Sequence, residues 1–222
     1  MVVKMEQRHP IWVRIFHWTN MISITLLILS GFYIHAPLAF RLFKNMDNAR
    51  MLHFILAMVL CVGVVGRVYY ALATKDYKNI WFDVKNDPKK FPSMIKYYTF
   101  FTDKHPHYGK YNPGQKMMYS GWLGLALIQI ITGFVLYKPN TFLWLGGFLG
   151  GLVAVRLIHL VVTWLFVLSI LAHVYLDISE GIPVLISMFT GKIPEGFEDA
   201  KIDHSIVFED AHQAVKGESV GA

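Results

Sequence analysis

The sequence runs to 222 residues, 55% of them hydrophobic and only 16% charged, with a mean hydropathy of +0.41. A soluble domain carries about a quarter charged residues, so this depletion, together with long apolar runs, excludes an ordinary soluble enzyme and points to the bilayer as solvent. The formal net charge of +6 comes from Lys and Arg placed between apolar runs rather than along an aromatic-studded stripe, which excludes a nucleic-acid surface.

In chain order, "MVVKMEQRHP" is polar and is not followed by a small-residue cleavage motif, so no removable signal is read there. Four stretches are then long enough to span: 11–40, which contains "MISITLLILSGFYI", followed by 51–73, 117–137 and 150–176. Crossing the hydrocarbon takes about 20 helical residues, so the first and fourth are expected to tilt or protrude. Short connections at 41–50 and 138–149 favour antiparallel neighbours. The long connection 74–116 includes "DPKKFPSMIKYYTFF", which reads as a short amphipathic helix on the membrane face. After the fourth span, "GIPVLISMFTGK" reads as an interfacial helix, and a polar tail occupies 194–222. No internal repeat is evident. The expected fold is all-α: an integral membrane four-helix bundle over residues 1–193.

Orientation follows from the cations. The 74–116 connection carries nine lysines (75, 78, 85, 89, 90, 96, 104, 110 and 116), and Lys4, Arg8 and Arg14 precede the first span. The opposite side has Arg41, Lys44, Arg50 and Lys138. Twelve against four puts both termini in the cytoplasm, in a multi-pass protein of the cytoplasmic (inner) membrane.

The chemistry lies in the histidines. Of ten, four fall well within spans, His17, His53, His159 and His173, and His35 lies at the outer end of the first. An intramembrane imidazole is costly and tends to face the bundle interior, where it serves ions, protons or cofactors. With alternating span directions, His17 and His173 lie at the cytoplasmic depth, and His53 and His159 at the outer depth. His159 and His173 are fourteen residues apart, about 40° short of whole turns, so they share one helix face about 21 Å apart. His35, five whole turns after His17, rivals His53 as an outer ligand, and spacing does not decide between them.

Haem b suits this pattern, because its iron takes axial imidazoles from opposite sides and a bundle core supplies them from facing helices. Zinc would call for more ligands at one level, yet no carboxylate or thiolate stands beside these histidines. A proton relay would call for intramembrane Asp or Glu, and none precedes Asp177 in the spans. Cys61 is the only cysteine, so cysteine-ligated iron–sulfur clusters, disulfides within the chain and covalent CxxCH haem attachment are excluded. Arg67, on the face of His53, together with Arg14 and Arg156, each one turn before a histidine, are candidate propionate partners or interfacial anchors. Gly31, Gly63, Gly66 and Gly133 allow close approach of a helix or a macrocycle.

"RIFHWTNMISITLLILSG", "ARMLHFILAMVLCVGVVGRVYYAL" and "IHLVVTWLFVLSILAHVYLDI" resemble the first, second and fourth helices of the b-type cytochrome subunits of respiratory nickel–iron hydrogenases. "GKYNPGQK" is similar to the loop before helix three in these proteins and in formate dehydrogenase gamma subunits. The resemblance covers residues 8–193 and implies a four-helix anchor with two non-covalent b haems. It assigns His17 and His173 to the inner haem and His53 and His159 to the outer one, against His35.

It further implies partners, the small iron–sulfur and large subunits of a hydrogenase at the outer face, and a quinone, menaquinone, reduced near the cytoplasmic face. The chain itself lacks the cysteines for hydrogen activation. A quinone pocket is expected near His173 with Asn112 and Gln115 as hydrogen-bonding groups, Tyr111, Asp177 or Glu180 for protons, and Asn20 as a second candidate. "NPGQ" also reads as a plain turn and helix cap. The alternatives are the cytochrome subunit of a formate dehydrogenase or thiosulfate reductase, a standalone membrane haem protein exchanging electrons with small molecules such as ascorbate, and a transporter or structural anchor with incidental histidines.

Overall fold

The computed structural model describes residues 4–39, 42–102, 108 and 111–197. Residue 40, Arg41, Lys104, Lys110 and the tail from 198 to 222 lie outside the described residues. The elements are β1 (Met5–Gln7), α1 (Ile11–His35), α2 (Met46–Ala73), α3 (Tyr77–Ile80), a single 3-10 turn (Pro88–Lys90), α4 (Phe91–Tyr98), α5 (Pro113–Tyr137), α6 (Leu143–Phe148), α7 (Gly151–Glu180), α8 (Ile182–Thr190) and β2 (Lys192–Pro194).

The four spans are α1, α2, α5 and α7, all long and apolar enough to cross a membrane. Their bounds differ from the sequence expectation for local reasons. α1 closes at His35. α2 starts at Met46 rather than 51, because Asn45 caps it by accepting from the Asn48 backbone N–H at 2.8 Å, with Asp47 in the first turn. α5 starts at Pro113 directly behind Asn112. α7 runs to Glu180 and stops at Gly181, whose φ of 107° no other residue type adopts readily. The 138–149 connection is not a plain loop, since it contains α6. The two amphipathic segments read from the sequence are α4 and α8.

The chain divides into two compact units. The described residues of Met1–Arg14, Asn79–Met117 and Ala172–Ala222 form one, and Ile15–Lys78 with Met118–Leu171 form the other. In the first unit β1 pairs antiparallel with β2, Glu6 opposite Ile193, a ladder with no signature in the polar N-terminal flank. Val184, Ile193 and Phe197 pack into a small core beneath it. The guanidinium of Arg14 donates to the carbonyls of Phe189 and, at 3.3 Å, Thr190. A cation thus satisfies the C-terminal carbonyls of α8. Gly191 closes that helix in the left-handed region (φ 84°), and its carbonyl accepts from the N–H groups of Arg8 and His9 at 2.9 and 3.0 Å.

In the second unit, Ala126, Val162 and Phe166 form a core joined by Ile24, Ile28, Val64, Trp122, Leu125 and Ile158, so α1, α2, α5 and α7 all contribute. The distribution is inverted relative to a water-soluble bundle. Ser23 and Ser30 of α1, Gly63 of α2 and Thr132 of α5 are buried, whereas Val62 is 73% exposed and Val153 78%. Lipid tails are as apolar as the side chains, so helices associate through small residues and interhelical hydrogen bonds of about 0.6–2 kcal/mol each. Trp122 Nε1 donates to Ser169 Oγ at 2.7 Å and Gln129 Nε2 to Thr163 Oγ1 at 2.8 Å, both between α5 and α7.

A Cβ at Gly191 would lie 2.9 Å from the His9 carbonyl oxygen and 3.0 Å from Arg14 Nη1, in a backbone region that side chains rarely adopt. Gly191→Ala is expected to cost about 1–3 kcal/mol, read as a lower melting temperature of the detergent-solubilised protein. Gly121→Ala, where a Cβ meets nothing within 4 Å, is the near-neutral control. Equal melting temperatures for the two variants would contradict this packing.

Candidate functional site

His53 of α2 and His159 of α7 face each other in the second unit with ring centres 6.4 Å apart and planes at 56°. Each ring is held by a hydroxyl from a neighbouring helix. Ser30 Oγ lies 3.0 Å from His53 Nδ1, and Thr132 Oγ1 lies 2.8 Å from His159 Nδ1. A glycine follows each hydroxyl residue and lies beside the ring: a Cβ at Gly31 would be in ordinary contact, 3.4 Å from His53 Cε1, and one at Gly133 3.6 Å from His159 Cε1.

The hydroxyls also set the tautomer. Ser30 Oγ donates to the Leu26 carbonyl at 2.7 Å, and Thr132 Oγ1 to the Ile128 carbonyl at 2.7 Å. A hydroxyl has one proton, so towards the imidazole each oxygen acts as acceptor and each Nδ1 carries the hydrogen. Nε2 is left as the basic nitrogen on both rings, which is the form a metal takes. With metal–nitrogen bonds of about 2.0 Å, an imidazole–metal–imidazole sandwich sets ring centres about 6 Å apart. The observed separation fits two axial ligands of one metal. The donor set, two neutral imidazoles without carboxylate or thiolate, fits a haem iron.

His17 belongs to the second unit and packs edge-on against Trp18, ring centres 5.1 Å apart. His173 belongs to the first unit, where its Nε2 lies 3.3 Å from Asp177 Oδ2, one turn on along α7. A carboxylate therefore does stand beside one of the four histidines, contrary to the sequence reading. His35 is exposed at the end of α1.

Within the first unit, Asn112 and Gln115 form a reciprocal cap at the start of α5. Asn112 Oδ1 accepts from the Gln115 N–H at 2.8 Å, and Gln115 Oε1 accepts from the Asn112 N–H at 3.1 Å. The capping reading of "NPGQ" is thus realised, but it does not exhaust these side chains. Asn112 Nδ2 donates to Tyr98 O–H at 2.9 Å and to Glu180 Oε1 at 3.2 Å, and Tyr98 O–H donates to the same carboxylate oxygen. The surroundings of Asp177 include Gln115, Arg8 and Glu180. Tyr175 O–H donates to the Tyr98 carbonyl at 2.9 Å. Tyr111 is buried, stacked on His9 at 6.4 Å. Burial first, and the Glu180 carboxylate second, push the Tyr98 phenol far above its usual range, so it stays a proton donor.

The arginines are engaged differently. Arg67 pairs with Asp76 at 2.8 Å, while its Nη1 is buried with no hydrogen-bond partner. Arg14 holds the end of α8, and Arg156 is exposed on α7. Asn20 lies against Gly63, and its Oδ1 is buried with no hydrogen-bond partner. Sequence reasoning missed Ser30, Thr132 and Tyr98. A signal for the first two exists in the short repeat "ILSGF" (28–32) and "IITGF" (130–134).

Four apolar spans and a half-buried imidazole pair in metal-binding form define a class, the integral membrane b-type cytochromes. Residues 8–191 match the family model described as prokaryotic cytochrome b561, and the chain belongs to this family. A b-type haem and a role in membrane electron transfer come with that membership. The chain is 28% identical to a probable Ni/Fe-hydrogenase B-type cytochrome subunit of Cupriavidus necator, over 77% of this chain and 78% of the relative. It is 30% identical to the corresponding subunit of Azotobacter vinelandii, over 77% and 79%. It is 27% identical to the probable Ni/Fe-hydrogenase 1 B-type cytochrome subunit of Escherichia coli, over 77% and 81%.

Asn112→Ala removes both the cap and the donor to Glu180, and is expected to cost about 1–3 kcal/mol. Asn112→Asp keeps an acceptor for the cap but loses the donor and sets a second carboxylate against Glu180. Melting at pH 7 is expected to place both variants below wild type. An Asp variant as stable as wild type would show that the donor role is unimportant.

Proposed function

We propose that the chain is the membrane anchor of a hydrogenase, a di-haem cytochrome b. It would carry electrons from a periplasmic-side iron–sulfur subunit, itself bound to the large subunit, to menaquinone near the cytoplasmic face. The observation that carries this reading is the His53–His159 pair, with ring spacing and tautomers suited to axial coordination. The hydrogenase partner rests on what the relatives are named, and the quinone on the sequence resemblance. Both termini are assigned to the cytoplasm of a protein in the inner membrane by the distribution of Lys and Arg.

His53 and His159 would hold the outer haem, and His17 and His173 the inner one on the matching depths of the sequence. Bound haem supplies one-electron redox chemistry. Arg67 is the best-supported propionate partner, since Nη1 remains a buried donor after the ion pair with Asp76. Arg156, three residues before His159, is the second. Arg14 has most of its guanidinium committed to α8.

Reduction of a quinone takes up two protons with two electrons. Asp177, Gln115, Asn112 and Tyr111 are the groups assigned to the quinone pocket, with Asn20 as a further candidate. Tyr98, protonated and bonded to Glu180 beside Asn112, adds a proton-holding pair to that set. The apolar outer faces of the spans meet lipid and keep water from the half-buried imidazoles.

Purified protein is expected to give a reducible b-type spectrum with two haems per polypeptide. His159→Ala should remove one of them, and His173→Ala should remove the other together with quinone reduction. Full haem content in either variant would sink the corresponding ligand assignment. Mild solubilisation followed by mass spectrometry is expected to bring down a nickel–iron hydrogenase. A formate dehydrogenase or thiosulfate reductase in its place would transfer the reading to that partner, and isolation as a lone haem protein would contradict the anchor role.

A further inference from the structure

The two hydroxyl–imidazole bonds are more than helix glue. The span pair α1 and α2 contributes Ser30, Gly31 and His53; the pair α5 and α7 contributes Thr132, Gly133 and His159. In both, a hydroxyl residue followed by glycine and phenylalanine sits on the first helix of the pair, and the histidine is on the second. In both, the hydroxyl proton goes to the carbonyl four residues earlier on its own helix. The two halves of the outer site thus share one local plan, though the chain has no longer repeat.

We propose that Ser30 and Thr132 are positioning residues of the outer haem site: each hydroxyl accepts the Nδ1 hydrogen of one axial imidazole and fixes its tautomer and ring plane. This rests on the reading of His53 and His159 as ligands of one haem. The hydroxyl of a span serine or threonine bonded only to its own backbone would be ordinary. What distinguishes these two is that the remaining lone pair of each is aimed at a ligating ring while the neighbouring residue lacks a side chain. The hydroxyl stops the ring from turning about its Cβ–Cγ bond.

The consequence is electronic as well as steric. An imidazole whose Nδ1 hydrogen is shared with an acceptor is the stronger donor at Nε2, which favours ferric over ferrous iron and lowers the potential.

The test uses the full-length haem-loaded protein. Thr132→Val, nearly isosteric, is expected to raise the midpoint potential of the outer haem and change the g-values of its low-spin ferric signal, with the inner haem unaltered. Ser30→Ala should shift both in the same direction, and Thr132→Ser should restore wild-type values. Selective loss of the outer haem in Thr132→Val, with retention in Thr132→Ser, would also support the proposal. If Thr132→Val loses all haem, Ser30→Ala decides by the same potential and g-values. Unchanged potential and g-values in haem-replete Thr132→Val, or in Ser30→Ala where that variant decides, would overturn it. His53→Ala separates the underlying reading: if it keeps both haems, the ligand assignment itself fails, whatever the hydroxyl variants do.

Discussion

The requirement that polar groups inside an apolar bundle find partners governs this molecule more than any apolar contact does. His53 and His159 face one another at 6.4 Å because Ser30 and Thr132 each present an acceptor at the right depth. Those hydroxyls are able to accept because their own protons already go to the backbone. The rings lie beside Gly31 and Gly133, where a Cβ would be in ordinary contact with them. An apolar residue at position 30 or 132 would leave an imidazole N–H unsatisfied in a medium without water, at a cost of about 1–3 kcal/mol.

The same logic shapes the first unit. Asn112 and Gln115 close the start of α5 reciprocally, and Asn112 uses its amide donor on Tyr98 and Glu180. Arg14 does for the end of α8 what Asn112 does for the start of α5. Glu180 is thus set between two neutral donors, the Tyr98 phenol and the Asn112 amide.

Much of this was legible in the chain. Four apolar runs of sufficient length and four intramembrane histidines led to the bundle and to a histidine-held cofactor, because membrane spans and costly intramembrane polar residues are strong local signals, whereas the choice of His53 over His35 came from the resemblance. The shift of α2 to Met46 was hidden, since Asn45 and Asp47 read as loop polarity before their capping role is seen. The ladder of β1 with β2 joins segments nearly 190 residues apart by three residues each, which no local pattern reveals. Ser30 and Thr132 escaped notice because a hydroxyl in a span ordinarily bonds its own backbone, and the register between helices is not written in either helix alone.

The central claim is that one iron sits between His53 and His159. The most direct measurement is an iron anomalous-difference map, or a cryo-electron-microscopy map at comparable detail, of the haem-loaded protein. The account expects iron density between the two Nε2 atoms, with Nδ1 of each ring still against its hydroxyl. A haem bound elsewhere, or iron coordinated through His35 in place of His53, would contradict it.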